Sequence, residues 1–269
     1  MIKVQTKFSK YINDEWIIYK HAKGTSAALE REFHDYHEIL LFVGGKTTFL
    51  SEEKHIPLSP FQIVVIPKKT YHQFINDVDE EYHRCVFSFY DIPEFEGLIE
   101  KCMHKTRVIE AGSEQKQMFN KMNEIMEASC NREEKCTLMH ALLALVLNEV
   151  ANERTSVKEG RELSETTSRS IDIINTNLCN KISVSELSKK LNVSVSTLTQ
   201  AFKKDMNISI YRYILTKKLV LAKQKIKDGE SATAAAMQCG FHDYSGFYKQ
   251  YKKMFGVAPS EKAPGFDTL

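Results

Sequence analysis

Ile182 to Lys203 reads ISVSELSKKLNVSVSTLTQAFK, and its punctuation is that of two short helices around a tight turn. Ser183 followed three positions later by Glu186 is a capping pattern, so a helix is expected to begin at Val184. Val184, Leu187 and Leu191 then share an inner face. Asn192-Val193-Ser194 interrupts the pattern, because Asn tolerates the left-handed backbone of a turn. Ser194 or Ser196 can cap the next helix. That helix turns Leu198, Ala201 and Phe202 inward and Ser196, Thr199, Gln200 and Lys203 outward. Helix, turn and a helix with a polar outer face predict a helix-turn-helix, whose second helix enters the major groove of DNA.

A second unit of similar length follows. Ser231–Cys239 is Ala-rich, Gly240 makes a turn, and Asp243 caps a helix running to about Met254. Phe247, Tyr251 and Phe255 fall inside, while Tyr244, Gly246, Tyr248, Lys249, Lys252 and Lys253 fall on or near the other side. Between the units, Ser209–Lys227 reads as one helix, ~28 Å long at 1.5 Å per residue. Such a strut suits two recognition helices ~34 Å apart, the pitch of one DNA turn. Charge agrees: from Thr166 onward there are 16 Lys and Arg against 8 Asp and Glu, and before it 21 against 27. A basic third behind an acidic remainder suggests a nucleic-acid surface attached to something else.

With these residues in view, Ile171 to Pro259 resembles the DNA-binding domain of the AraC/XylS family of bacterial transcription regulators. The resemblance is carried by Ile182–Lys203, by Ala222-Lys223 and Ile226 in the linking helix, and by Cys239-Gly240-Phe241. Its most specific part is Ser245-Gly246-Phe247 through Tyr251-Lys252-Lys253-Met254-Phe255-Gly256-Val257-Ala258-Pro259. It implies that Ser196, Thr199 and Gln200 face bases in one groove and that Tyr244, Ser245, Gly246 and Lys249 do so in the next. Gln200 suits adenine and Lys249 suits guanine, each good pair discriminating by ~1–3 kcal/mol. Lys203, Lys252 and Lys253 would contact phosphates. Three departures stand out: Lys218 where the family favours Arg, Ala235-Ala236 where it favours Ile before Ala, and Pro264-Gly265 soon after Pro259. They imply a weaker contact at Lys218, looser packing, and a second unit that binds DNA less strongly than the first.

Residues 1 to about 95 read as short strands. Glu38–Val43 (EILLFV), Thr47–Leu50, Phe61–Ile66 (FQIVVI) and Cys85–Phe89 (CVFSF) are separated by turn signals such as Ser59-Pro60 and Asn76-Asp77, which predicts an antiparallel barrel or sandwich. Glu32-x-His34-x-x-x-Glu38 with Gly45 resembles the first cupin motif with its first His replaced by Glu. Pro67–Asn76 resembles the second, with Lys69 where Gly is preferred. In one strand Glu32, His34 and Glu38 would share a face, with His72 arriving from a facing strand. His37 would point away from His34, and Tyr36 carries no role. Two imidazoles and two carboxylates suit Fe, Mn or Zn, yet in sensor domains joined to this DNA-binding module such groups usually contact a small effector.

From about Ser113 the period becomes helical. Met118, Met122, Ile125 and Met126 mark one helix; Leu138, Leu142, Leu145 and Val146, with Met139 and Leu143, mark a second beyond a Cys130–Lys135 turn. The second helix is apolar on two sides, which predicts burial between its own barrel and a partner subunit. Arg154–Thr167 reads as an exposed linker.

At 269 residues, 42% hydrophobic and 27% charged, the chain suits two globular domains and not a disordered protein. Six scattered cysteines form neither a zinc knuckle nor a redox pair. The longest apolar run, Ala141–Leu147, is too short to cross a bilayer. Together these features predict an α+β chain of the cytoplasm: a cupin-like antiparallel β-barrel with two following helices (1–153, sensing and dimerisation), a linker (154–166), and an all-α tandem helix-turn-helix domain (167–269). The expected partners are promoter DNA, a small-molecule effector such as a sugar or other metabolite, a second copy of the chain through 113–153 and, for an activator, RNA polymerase. No enzymatic role, cofactor or bound metal is expected. The alternatives are a metal-dependent cupin enzyme with a DNA-binding tail and a regulator whose N-terminal domain binds a protein.

Overall fold

The computed structural model describes residues 5–25, 32–77, 80–153, 156–157, 160–180 and 182–261. Two compact units result: Met1–Ser51 with His55–Arg161, and Glu162–Leu269 with Glu52–Lys54. The first is built on antiparallel sheets and the second on helices, an α+β chain.

The first unit contains β1 (Gln5–Asn13), β2 (Ile17–Thr25), β3 (His37–Gly44), β4 (Thr47–Ser51), β5 (Lys54–Leu58), β6 (Gln62–Ile66), β7 (His72–Asn76), β8 (Tyr82–Phe89) and β9 (Arg107–Glu110). The larger sheet runs β1-β2-β8-β3-β6-β9, and the smaller runs β5-β4-β7 with Arg161 at its β5 edge. Leu40 and Phe42 of β3 join Val64, Ile66, Phe49 and Phe74 in a cluster between the sheets. Ile39 and Leu41, on the opposite face, join a second cluster with the helices. Burial on both faces is why EILLFV is a continuous apolar run and not an alternating one.

Helices α1 (Glu96–Cys102), α2 (Ser113–Glu127) and α3 (Arg132–Asn152) complete this unit. The turn before α3 is shorter than the expected Cys130–Lys135. Asn131 accepts the Glu134 N–H (2.9 Å) and its own N–H donates to the Glu134 carboxylate (3.1 Å), so Arg132–Lys135 is already helical. Met139, Leu143, Val146, Leu147 and Val150 are the buried stripe of α3, whereas Leu138 and Leu145 are 43% and 50% exposed. The expected double burial is therefore single within one chain. The expected linker is also partly structured. The Val157 N–H donates to the Val108 carbonyl (2.7 Å), and Ser164 caps α4 (Glu165–Thr176).

The second unit continues with α5 (Val184–Lys190), α6 (Val195–Met206), α7 (Ile210–Lys227), α8 (Ala232–Gln238) and α9 (Tyr244–Phe255). Each starts on a side-chain cap: Ser183, Ser194, Ser209, Ser231 and Asp243. The turns into α6 and α9 pass through left-handed Asn192 (φ 54°) and Gly240 (φ 73°). Pro264 and Gly265 lie outside the described residues. Among the described residues no helix is long and apolar enough to cross a membrane.

Candidate functional site

Two recognition-type helix faces are presented by the second unit. In α6, Leu198 and Phe202 are fully buried, and Phe202 packs edge-on against Tyr213 of α7 (5.2 Å). Their opposite face carries exposed Ser196, Gln200 and Lys203 and half-buried Thr199. The Gln200 amide donates to Ser196 Oγ (3.2 Å), and Thr199 Oγ1 donates to the Val195 carbonyl (2.9 Å). In α9, Phe247 and Tyr251 are buried against Leu219 and Ala222 of α7 and Ala235, Ala236 and Cys239 of the α8 end. Tyr244, Ser245, Gly246, Lys249, Lys252 and Lys253 are exposed. The Gly246 N–H donates to Asp243 (2.6 Å), so this glycine also serves the cap. Both helices thus present polar and cationic side chains on an apolar back, the form that tracks phosphates and reads base edges.

In the first unit, Glu32, His34, Glu38 and His72 offer one ligand atom each, all within 4.8 Å of one another. Strand alternation is not what gathers them. Only Glu38 and His72 lie in strands; Glu32 makes an isolated bridge to His72, and the chain bends at Asp35-Tyr36 before β3. His34 holds that bend: its Nδ1–H donates to the Tyr36 carbonyl (2.8 Å), and its ring stacks on Tyr36 at 3.8 Å. His72 Nδ1–H donates to the Thr70 carbonyl (3.1 Å). Both Nε2 atoms are consequently turned to the carboxylates, His34 to Glu38 at 3.4 Å and His72 to Glu32 and Glu38 at 3.5 and 3.4 Å. Ser88 Oγ donates to the other Glu38 oxygen (2.8 Å).

Electrostatics follow from this convergence. Burial pushes the His72 imidazole down, but the two carboxylates outweigh it and raise its pKa to about 10. Burial pushes Glu38 up, yet His34 and His72 hold it well below the usual carboxylate range. Glu32 is lowered as well, with burial and Glu38 opposing His72 and Arg84. Imidazoles oriented through Nδ1 and two carboxylates are a donor set that fits a divalent ion, and equally one that grips an amine or several hydroxyl donors.

Comparison with known proteins bears on both units. An AraC-like ligand binding domain profile matches residues 17–148, and a helix-turn-helix domain profile matches residues 187–263. The chain belongs to the AraC/XylS family. It is a DNA-binding transcription regulator with a ligand-binding domain. Among similar proteins, the HTH-type transcriptional regulator YdiP of Escherichia coli K12 is 26% identical over 240 residues, 85% of this chain and 78% of that protein. The probable transcriptional regulator LumQ of Photobacterium leiognathi is 35% identical over 88 residues, 32% of this chain and 36% of LumQ. A crystal structure of ToxT from Vibrio cholerae with unsaturated fatty acid bound covers 96% of this chain and 98% of its own, at 13% identity and TM-score 0.42.

Against the AraC/XylS pattern, Lys218 takes an internal role. It is buried, and its ammonium donates to the carbonyls of Asn180 (3.1 Å) and Gly240 (3.4 Å), joining the α4–α5 loop to the turn before α9. Sequence reading also passed over Tyr36, Ser88 and Arg84. Tyr36 fixes the His34 ring, and Ser88 pairs with Glu38 across β8 and β3. Arg84 lies over Phe74 and Tyr82 (5.4 and 5.8 Å). The period of two in Arg84-x-Val86-x-Ser88 was the available signal, but it needs the β8–β3 register to become specific.

Proposed function

We propose that this regulator docks α6 and α9 into successive major grooves of promoter DNA, and that a small molecule held at the Glu32–His34–Glu38–His72 cluster governs that docking. The observation that carries the reading is the pair of exposed polar helix faces on buried apolar backs. Ser196, Thr199 and Gln200 meet bases from α6, and Tyr244, Ser245, Gly246 and Lys249 meet them from α9. Lys203, Lys252 and Lys253 neutralise phosphates. Gln200→Ala is expected to cost ~1–3 kcal/mol and to relax preference at one base pair, whereas Lys252→Ala weakens all duplexes alike and lowers the salt slope by ~1. Equal losses on specific and random DNA for both variants would refute this sorting.

The effector reading rests on the buried cluster. Two carboxylates converging in one buried cluster favour a ligand rich in donors, an amine or a polyhydroxylated metabolite. Binding there shifts the population of chains poised for DNA. Leu138 and Leu145, exposed on α3, support a homodimer through 113–153, and an activator would also meet RNA polymerase in the cytoplasm. A thermal-shift screen of the full chain tests the effector: the expected result is a stabilising metabolite whose effect is lost in Glu38→Gln. Stoichiometric transition metal lost with His72→Ala would favour the enzyme reading instead, and a screen with no hit would favour a protein partner.

A further inference from the structure

A second convergence of ligating side chains lies on the opposite face of the larger sheet. β2 and β8 pair antiparallel with His21 opposite Cys85 and Lys23 opposite His83. Alternation puts His21, His83 and Cys85 on one face. It is the face of Tyr19 and Phe87, which pack with Phe119 and Met122 of α2, whereas Ala22, Tyr82 and Val86 point to the inter-sheet cluster. One ligand atom from each of the three residues lies within 4.8 Å of the others. The Nε2 atoms of His21 and His83 are 2.6 Å apart, with the rings stacked at 4.8 Å. Two imidazole lone pairs at that separation repel unless a proton or a cation lies between them.

We propose that His21, His83 and Cys85 form a binding site for a thiophilic divalent cation of the zinc class, distinct from the buried Glu32–His34–Glu38–His72 cluster. Two imidazole nitrogens and one sulfur suit such an ion, and three protein ligands leave a fourth tetrahedral position. On the same face, Asn123 of α2 touches Cys85 Sγ (3.7 Å) and accepts the Tyr19 hydroxyl (2.8 Å). Each imidazole offers one ring nitrogen to the ion, from adjacent antiparallel strands. Metal binding breaks the Cys85 S–H bond, forms the S–metal bond and releases one proton to solvent. The surrounding charges permit this. Lys10 of β1 is ion-paired with Glu127 of α2, and the thiolate offsets Lys23. A bound ion would tie β2 to β8, giving the ligand-binding unit a second chemical input. The ligands lie on two strands, His21 and His83 being 62 residues apart, so no compact motif announces them.

Titration of the full-length protein with Co2+ and Zn2+ tests the site independently of the effector reading. The expected result is one Co2+ per chain with a near-ultraviolet thiolate-to-cobalt charge-transfer band, retained in Glu38→Gln and His72→Ala because that cluster contains no thiolate. Cys85→Ser removes the band, and His83→Ala lowers Zn2+ affinity by about tenfold or more. Because Cys85 is buried, His21→Gln serves as a second variant at a partly exposed ring, with the same expected loss of Zn2+ affinity and an unchanged circular dichroism spectrum. Absence of the band in the wild type, its persistence in Cys85→Ser, or unchanged Zn2+ affinity in both histidine variants would overturn the proposal.

Discussion

His37 neighbours the buried cluster but faces the other side of β3. Its Nδ1 accepts the Lys68 N–H (3.1 Å), its Nε2–H donates to Asp91 (3.0 Å), and its ring stacks on Phe89. That bonding requires the neutral ring. Burial lowers its pKa from 6.5 to about 4, against the pull of Asp91. A folded-state value below the unfolded one means that the unfolded chain takes up the proton first. The associated stability is therefore complete above about pH 6.5 and is lost as pH falls toward 4. Urea unfolding is expected to show the wild type losing about 2 kcal/mol at pH 5 relative to pH 7 through this group, and His37→Gln losing less. Gly240 is a second single-residue case. Its φ is +73°, and an added Cβ would lie 2.8 Å from Lys218 Nζ and 3.1 Å from the Cys179 carbonyl. Gly240→Ala is expected to destabilise by about 1–3 kcal/mol in chemical denaturation, with Lys218→Met losing a comparable amount through two unpaired carbonyls. Gly240 as a turn was legible from sequence; the ammonium beside it was not, because it comes from α7, 22 residues earlier.

Helix starts were legible at the scale of elements because capping is confined to four residues. Ser183 and Glu186 bond reciprocally, the Ser183 N–H donating to the carboxylate (3.0 Å) and the Glu186 N–H to Ser183 Oγ (3.1 Å). Ser183→Ala is expected to cost about 1 kcal/mol, measured as a lowered denaturation midpoint. The faces of α3 were less legible. Its apolar residues nearly encircle the helix, and only packing selects Met139, Leu143, Val146, Leu147 and Val150 as the inner set. Leu143→Ala is expected to cost about 2–5 kcal/mol. Leu145→Glu should change stability by no more than about 0.5 kcal/mol, while sedimentation should move from a dimer toward a monomer mass if α3 joins two copies. The α-helical period alone gives both leucines the same expectation.

Charge and thiol chemistry belong to the whole molecule. Net charge is only +2, yet the excess of basic residues lies in the helical unit. Affinity for duplex DNA is therefore expected to fall steeply with salt despite the near-neutral total, with a log–log slope of about −0.9 per neutralised phosphate. Among the cysteines, Cys179 is exposed, whereas Cys102 and Cys239 are buried and their thiols are pushed up to about 11 by burial. Titration with a thiol reagent near neutral pH is expected to modify Cys179 first, and Cys102 and Cys239 only on unfolding.

Sequence alone determined the α+β division, the tandem helix-turn-helix, the caps and turns of its helices, and the polar outer faces of α6 and α9. These depend on hydrogen bonds and periodicities spanning a few residues, so each is written where it acts. Tertiary structure decided which side chains meet. Glu32 reaches His72 through an isolated bridge and a bend. His21 reaches His83 and Cys85 only because β8 lies beside β2, and Lys218 bonds to the carbonyls of Asn180 and Gly240. Such meetings are set by strand order and register between segments distant in sequence, where a one-residue slip reverses every face, and no local pattern encodes that choice.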